Sequence, residues 1–167
     1  MFNDEQLSTT MNKNQGLPWD HPRFRTWIGV ARACQLMQLT LARNLAHLDL
    51  KPPHLDILAN LYRREGISQQ ELARKLLVGR SNMSMLLPQL EKRGLIVRTP
   101  DERDRRILRL YLTEEGKAIT RDALVLQTAL IDEVMAGQSE EECNHVAASM
   151  EKIVANLLED SRQETDA

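Results

Sequence analysis

The chain has 167 residues, of which 42% are hydrophobic and 28% are charged. This is enough apolar material for one sizeable core, or for one core and a subunit interface, and we expect no second, enzymatic domain. The apolar runs are only a few residues long and the first residues lack a signal-peptide core, so we expect a cytoplasmic protein. Cys34 and Cys143 lie far apart, which argues against a disulfide framework or a thiolate zinc site.

The formal net charge of −2 conceals a strong segregation of charge along the chain. Residues 63–109 carry 12 Lys/Arg against 6 Asp/Glu, whereas residues 110–167 carry 4 against 13. A basic middle section can face phosphates while an acidic section points away from them. The alternative is that both sections are ordinary solvated helix faces.

The N-terminal part of the chain predicts a polar arm and then two helices. Residues 1–22 have no periodicity, and we read them as a mobile arm. Apolar residues then recur at three- and four-residue steps from 23 to 47, which predicts a long amphipathic helix in a dimerisation region, residues 23–50. Lys51-Pro52-Pro53 predicts the start of a new helix, because proline is tolerated in a first helical turn. The apolar face of this helix is predicted at Leu55, Leu58, Ala59 and Tyr62.

The section from residue 68 to residue 94 predicts a helix-turn-helix. Ser68 and Glu71 have the spacing of a capping box, so a helix is expected over about 69–76. After a turn at residues 77–79, a second helix is expected over about 81–93, closed by Gly94. We expect Pro88 to bend this helix without ending it.

Residues 95–113 predict a hairpin in which two short apolar strands flank a charged loop with three arginines. A helix-turn-helix followed by a basic hairpin is typical of a winged-helix DNA reader, and we assign residues 51–113 to such a domain. The predicted fold class is therefore mainly α with a small β-hairpin wing.

The C-terminal part predicts two more helices, which we assign to dimerisation. Thr113 begins a helix that runs to about residue 135, and a second capping box at Ser139 and Glu142 begins the last one. Residues 114–160 form this predicted region, and residues 161–167 are a tail. Surplus apolar faces at both ends of the chain indicate a homodimer, which would read a palindromic site with two recognition helices and two wings.

The stretch from Ser68 to Gly116, SQQELARKLLVGRSNMSMLLPQLEKRGLIVRTPDERDRRILRLYLTEEG, resembles the MarR family of bacterial transcriptional regulators. The resemblance extends over residues 23–160 and implies a ligand-responsive DNA-binding regulator, most simply a repressor. In that family a wing arginine enters the minor groove, and its position here is Arg106, with Asp104 placed to orient it. A permanently charged planar guanidinium suits a narrow groove of high negative potential. The alternative for Arg106 is a salt bridge within the wing to Asp101 or Asp104 alone.

The family also places the second helix of the helix-turn-helix in the major groove. By position this implicates Ser81, Asn82, Ser84 and Met85, with Arg80 on phosphate. Pro88 departs from the polar residue common there. The full set of predicted DNA-contacting residues is Ser68, Gln69, Gln70, Arg74, Arg80, Ser81, Asn82, Ser84, Met85, Gln89, Arg103, Asp104, Arg105 and Arg106.

The resemblance further implies a small-molecule effector, often aromatic or phenolic, between the dimerisation helices and the DNA-binding domain. The candidate lining residues are Trp27, Met37, His54, Leu58 and Tyr62, although apolar residues at helical spacing are more often plain core. We expect no cofactor and no metal, because no histidine or carboxylate cluster has ligand spacing.

Three other functions fit the sequence less well: a cysteine-based redox sensor, an enzyme and a protein-interaction module. Some family members sense peroxides through a cysteine near the start of the first helix, but Cys34 lies about two turns too late, and we expect a buried structural cysteine. No nucleophile elbow, phosphate loop or paired-histidine motif indicates an enzyme. A winged-helix interaction module that no longer binds DNA would have lost the basic wing, which is present here.

Overall fold

The computed structural model describes residues 16–163, and it confirms a mainly helical fold with a small antiparallel sheet. The helices are α1 (Phe24–Leu45), α2 (Pro52–Arg63), α3 (Gln69–Lys75), α4 (Arg80–Lys92), α5 (Glu114–Met135) and α6 (Glu140–Gln163). The strands are β1 (Ile67–Ser68), β2 (Ile96–Pro100) and β3 (Leu108–Leu112). Residues 1–15 of the predicted arm and residues 164–167 of the predicted tail lie outside the described residues.

The sheet has one more strand than the predicted hairpin. β2 and β3 pair antiparallel from Ile96 opposite Leu112 to Pro100 opposite Leu108. β3 also pairs with β1, Ile67 lying opposite Leu110, so that the strand order is β1-β3-β2. The wing hairpin is thereby fastened to the segment that leads directly into α3.

The core lies where α2, α3 and α4 meet the sheet. Leu58 of α2, Leu72 of α3 and Leu87 of α4 have no exposed surface, and Leu110 of β3 is buried with them. On α2 the apolar face includes Ile57 and Leu61 as well as the predicted leucines. Tyr62 was expected on this face, but it is 41% exposed.

The predicted helix starts and stops are set by local hydrogen bonds. The Thr113 hydroxyl accepts from the Gly116 amide at 2.9 Å at the start of α5. Ser139 and Glu142 exchange side-chain and backbone hydrogen bonds before α6. Gly94, with φ of +69°, ends α4, a backbone conformation that favours glycine. α4 continues through Pro88 as one helix.

The long helices at the two ends of the chain leave many apolar side chains exposed within the protomer. α1, α5 and α6 each contribute to this surface. Its members include Leu36, Leu39, Val125, Ile131, Val134, Val146, Ile153, Val154, Leu157 and Leu158. Cys34 is also exposed, so the expectation of a buried cysteine was wrong, because periodicity cannot separate burial within a protomer from a face that the protomer leaves open.

Candidate nucleic-acid interface

The start of α3 is held by the predicted capping box. The Ser68 amide donates to Glu71 Oε2 at 2.8 Å, and the Glu71 amide donates to Ser68 Oγ at 3.2 Å. These hydrogen bonds lower the pKa of Glu71. Ser68 is only 8% exposed, and its side chain caps the start of the helix. Gln70 and Arg74 are exposed and Gln69 is half-buried.

α4 separates an apolar face from a small, polar one. Met83, Leu87 and Leu90 are fully buried, and they fix how the helix sits on the core. The opposite face carries the predicted base-reading residues, all of them exposed: Ser81, Asn82, Ser84 and Met85. Arg80 begins the helix, and its side chain lies outside the part that the structure describes.

Gln89 was predicted as a DNA-contacting residue, and in the structure its side chain also contacts another residue of the protein. Its Oε1 lies 3.1 Å from Nε2 of His54, on α2. His54 is 4% exposed, and burial lowers its pKa. The Gln89 side chain is exposed, but its oxygen is engaged towards the protein.

At the wing tip, Asp104 and Arg106 form a two-point ion pair. Arg106 Nε donates to Asp104 Oδ1 and Arg106 Nη2 donates to Asp104 Oδ2, both at 2.9 Å. The hydrogen bond from Arg106 lowers the pKa of Asp104, so the pair stays ionised at neutral pH. The Arg106 side chain is 90% exposed. The two alternative partners for Arg106 are thus resolved in favour of Asp104, and Arg103 and Arg105 are exposed beside it.

A second ion pair, where the wing loop leaves the strands, was not predicted from the sequence. Arg109 Nε donates to Asp101 Oδ2 at 2.7 Å, and Arg109 Nη1 donates to the Gly66 carbonyl oxygen at 3.1 Å. Asp101 also accepts from the amides of Arg103 and Asp104 at 2.9 and 3.1 Å. The hydrogen bond from Arg109, followed by those from the two amides, lowers the pKa of Asp101 to about 2. The alternation of apolar and polar residues along β3 was the feature of the sequence that could have drawn attention to Arg109.

The helix and wing candidates meet in one groove. A cavity of about 270 Å³ lies between α3, α4 and the loop end of the wing. It is lined by Ser68, Gln69, Gln70, Ala73, Met83, Ser84, Arg106, Ile107 and Leu108. Arg106 of the wing and Ser84 of the polar face of α4 therefore line the same groove.

The five predicted effector residues lie in separate places of the protomer. His54 and Leu58 are buried in the core. Trp27 is 69% exposed on α1, and Tyr62 is exposed on α2. Met37 lines a different space, a cavity of about 570 Å³ between α1 and the ends of α5 and α6, together with Cys34.

Two further expectations concern metals and membranes. Among residues 16–163, no three His, Cys, Asp or Glu side chains are grouped as ligands for a metal ion. Within the same residues, no helix combines the length and the apolar character needed to cross a membrane.

Comparison with known proteins agrees with this geometry. A family model described as MarR family matches residues 48–107. The HTH-type transcriptional repressor MdtR of Bacillus subtilis is 26% identical over 129 residues, 77% of this chain and 83% of the relative. An uncharacterised HTH-type transcriptional regulator of Bacillus cereus is 33% identical over 113 residues, 65% of this chain and 73% of the relative.

Among solved structures, the transcriptional repressor CouR bound to a 23-mer DNA duplex superposes with a TM-score of 0.71. It is 28% identical, and the match covers 75% of this chain and 89% of CouR. The chain belongs to the MarR family of winged helix-turn-helix transcriptional regulators.

Proposed function

We propose that this regulator binds a palindromic promoter site as a homodimer, with α4 in the major groove and the wing in the minor groove. The observation that carries the proposal is the groove that the exposed Arg106 of the wing shares with Ser84 of the polar face of α4. A relative by structure, CouR, is named as a repressor and was solved on a DNA duplex. Occlusion of a promoter is the simplest regulatory outcome for such a dimer.

The ion pair with Asp104 preorganises the Arg106 side chain for the minor groove. Its two-point contact with Asp104 reduces the rotamers that an isolated, 90% exposed arginine would sample, so less conformational entropy is lost on binding. The narrow groove supplies a negative potential that favours the guanidinium. The flanking Arg103 and Arg105 add positive charge where the sugar-phosphate backbones of the DNA would approach the wing.

Sequence reading is assigned to the exposed face of α4. The Asn82 amide can donate to and accept from an adenine edge, and the Met85 side chain can contact a thymine methyl group. Ser81 and Ser84 are small enough to let the helix approach the bases or to bond phosphates. Arg80 at the helix start is assigned to phosphate, and the exposed Gln70 and Arg74 of α3 are assigned to the backbone beside it.

The dimer is assigned to α1, α5 and α6. These helices expose apolar side chains such as Leu39, Val125 and Val146, and surfaces of this kind are removed from water in stable homodimers. Two wings and two recognition helices then act together, which a palindromic site requires.

A small-molecule effector, aromatic or phenolic, completes the proposal. Its support is the open apolar groove of about 570 Å³ lined by Met37, Cys34, Val134 and other residues of α1, α5 and α6, part of the same apolar surface that is assigned to the dimer. A ligand there would touch the helices that set the separation of the two DNA-binding domains. A panel of phenols and aromatic carboxylates, titrated into the protein–DNA complex, tests this part by release of the duplex.

The DNA proposal is tested with purified protein, its own upstream intergenic duplex and a scrambled duplex at two salt concentrations. Wild-type protein should prefer the intergenic duplex and lose affinity as salt rises. Arg106→Ala should weaken binding and reduce the salt slope by about 0.9 for each wing. Arg121→Ala is the matched control, because Arg121 is an exposed cation on α5, away from the groove.

Equal loss in the two variants would contradict the minor-groove assignment of Arg106. Equal, weak binding of wild-type protein to both duplexes would contradict sequence reading on this DNA. An absence of binding to either duplex would favour the protein-interaction module instead.

A further inference from the structure

The end of the recognition helix is bonded to the turn that joins α1 to α2. We call residues 46–51 the junction. Arg93, directly after α4, donates from Nη2 to the Leu48 carbonyl oxygen at 3.0 Å and from Nη1 to the Asp49 carbonyl oxygen. Its Nε also lies 3.8 Å from Asp49 Oδ2. One guanidinium thus spans two successive carbonyl groups that are 44 and 45 residues away in sequence.

The junction itself is a defined turn. Asp49 has φ of +50°, and its amide donates to the Ala46 carbonyl oxygen at 3.0 Å. The next amide, of Leu50, donates to the Leu45 carbonyl oxygen at 3.3 Å, and Leu50 is 2% exposed. The carbonyl groups that Arg93 contacts therefore stand at the C-terminal end of the α1 segment, where helical carbonyls lack partners and carry partial negative charge.

One turn earlier on α4, a second contact reaches the first turn of α2, which directly follows the junction. The Lys51 amide donates to Nδ1 of His54 at 3.3 Å, which makes Nδ1 an acceptor and leaves Nε2 to carry the proton of the neutral ring. Nε2–H then donates to Gln89 Oε1, 3.1 Å away. Gln89 and Arg93 are four residues apart, so they lie on one side of the helix. Arg93 contacts the junction, and Gln89 contacts His54 in the first turn of α2.

We propose that Arg93 is a positioning residue that couples the first helix to the orientation of the recognition helix. The inference rests on the proposed function that α4 reads DNA. A displacement of the C-terminal end of α1 moves the Leu48 and Asp49 carbonyl groups, and the rigid two-donor fork of Arg93 carries α4 with them. Lysine cannot replace it fully, because an ammonium lacks the planar fork that holds two carbonyls at once.

The test compares Arg93→Gln with Lys92→Gln. Lys92 is the neighbouring exposed residue of the same helical turn, so both variants lose one positive charge beside DNA. Only Arg93→Gln also loses the hydrogen bonds to the junction. We expect Arg93→Gln to lower the affinity ratio between the intergenic and scrambled duplexes by about tenfold. Lys92→Gln should weaken both duplexes equally, and Arg93→Lys should give an intermediate ratio.

A measurement without DNA separates this inference from the proposed function. In amide hydrogen exchange, Arg93→Gln should speed exchange in both residues 46–50 and residues 89–93, whereas Lys92→Gln should leave both segments unchanged. Unaltered exchange in both segments, or the same duplex ratio in the two glutamine variants, would overturn the coupling. If wild-type protein fails to distinguish the duplexes while exchange responds as expected, the proposed function fails and the coupling stands. If Arg93→Gln does not fold, Arg93→Lys is judged by the same exchange criterion.

Discussion

Gly116→Ala is expected to destabilise the protein, although glycine-to-alanine changes within helices usually stabilise. Gly116 is buried in the first turn of α5. A Cβ atom there would lie 1.9 Å from the Leu95 carbonyl oxygen and 2.9 Å from the Leu95 carbonyl carbon. Both are backbone atoms at the start of the wing, so no side-chain rotation relieves the overlap.

The cost follows from what must move. Leu95 O accepts from the Thr113 amide at 3.1 Å, and the Thr113 hydroxyl donates to the Gly94 carbonyl oxygen at 2.6 Å. Separating α5 from the wing lengthens both hydrogen bonds, each worth about 1 kcal/mol, and overpacking adds about 1–3 kcal/mol. The ordinary helix gain of about 0.5–1 kcal/mol offsets part of this. The net expectation is a loss of about 3 kcal/mol, or roughly 10 °C in Tm.

The assay is urea unfolding followed by circular dichroism at one fixed protein concentration, because association contributes to apparent stability. Gly29→Ala is the control, since Gly29 lies within α1 and a Cβ there meets nothing within 4 Å. It should stabilise by about 0.5–1 kcal/mol. A Gly116→Ala midpoint equal to that of wild-type protein, or shifted in the same direction as Gly29→Ala, would refute the reasoning.

Two further predictions concern ionisation. Burial holds the pKa of His54 below its usual 6.5, so its contribution to stability is complete above that pH and is lost as pH falls through it towards the folded-state pKa. The urea midpoint of wild-type protein should therefore drop more between about pH 7.5 and pH 5.5 than that of His54→Gln, and parallel drops would argue against it. Asp101→Asn should weaken DNA binding even though it removes a negative charge, because the pair with Arg109 anchors the wing. Glu102→Gln, at an exposed neighbour, should strengthen binding slightly, and duplex titrations that move both variants the same way would exclude the anchoring role.

The elements that the sequence predicted well have local causes. Ser68 and Glu71 are three residues apart, and Gly94 directly follows its helix, so these stops and starts are readable without tertiary information. The strand β1 was missed because it is two residues long and is created by pairing Ile67 with the distant Leu110. A two-residue segment has no periodicity of its own to detect.

The three-dimensional course of the wing loop and the assembly of subunits also limited the prediction of the site. The charge pattern of the wing left Arg106 with two candidate partners, and the turn geometry assigns Asp104 to it while Asp101 faces Arg109. The exposed Cys34 shows the same limit at the subunit level. An apolar stripe indicates that a face is buried, but it does not say whether the same chain or another one covers it.

The two halves of the proposed DNA-binding surface are fixed in physically different ways. α4 is held by fully buried side chains, including Met83 and Leu87, whose packing is insensitive to salt. The wing tip depends on the exposed Asp104–Arg106 pair, and interactions between exposed charges are screened as ionic strength rises. Salt therefore weakens the wing in two ways, since it competes for phosphate and also loosens the pair that orients the arginine. Minor-groove contacts should accordingly fail at lower salt than base reading by α4, which makes the wing the more adjustable part of the interface.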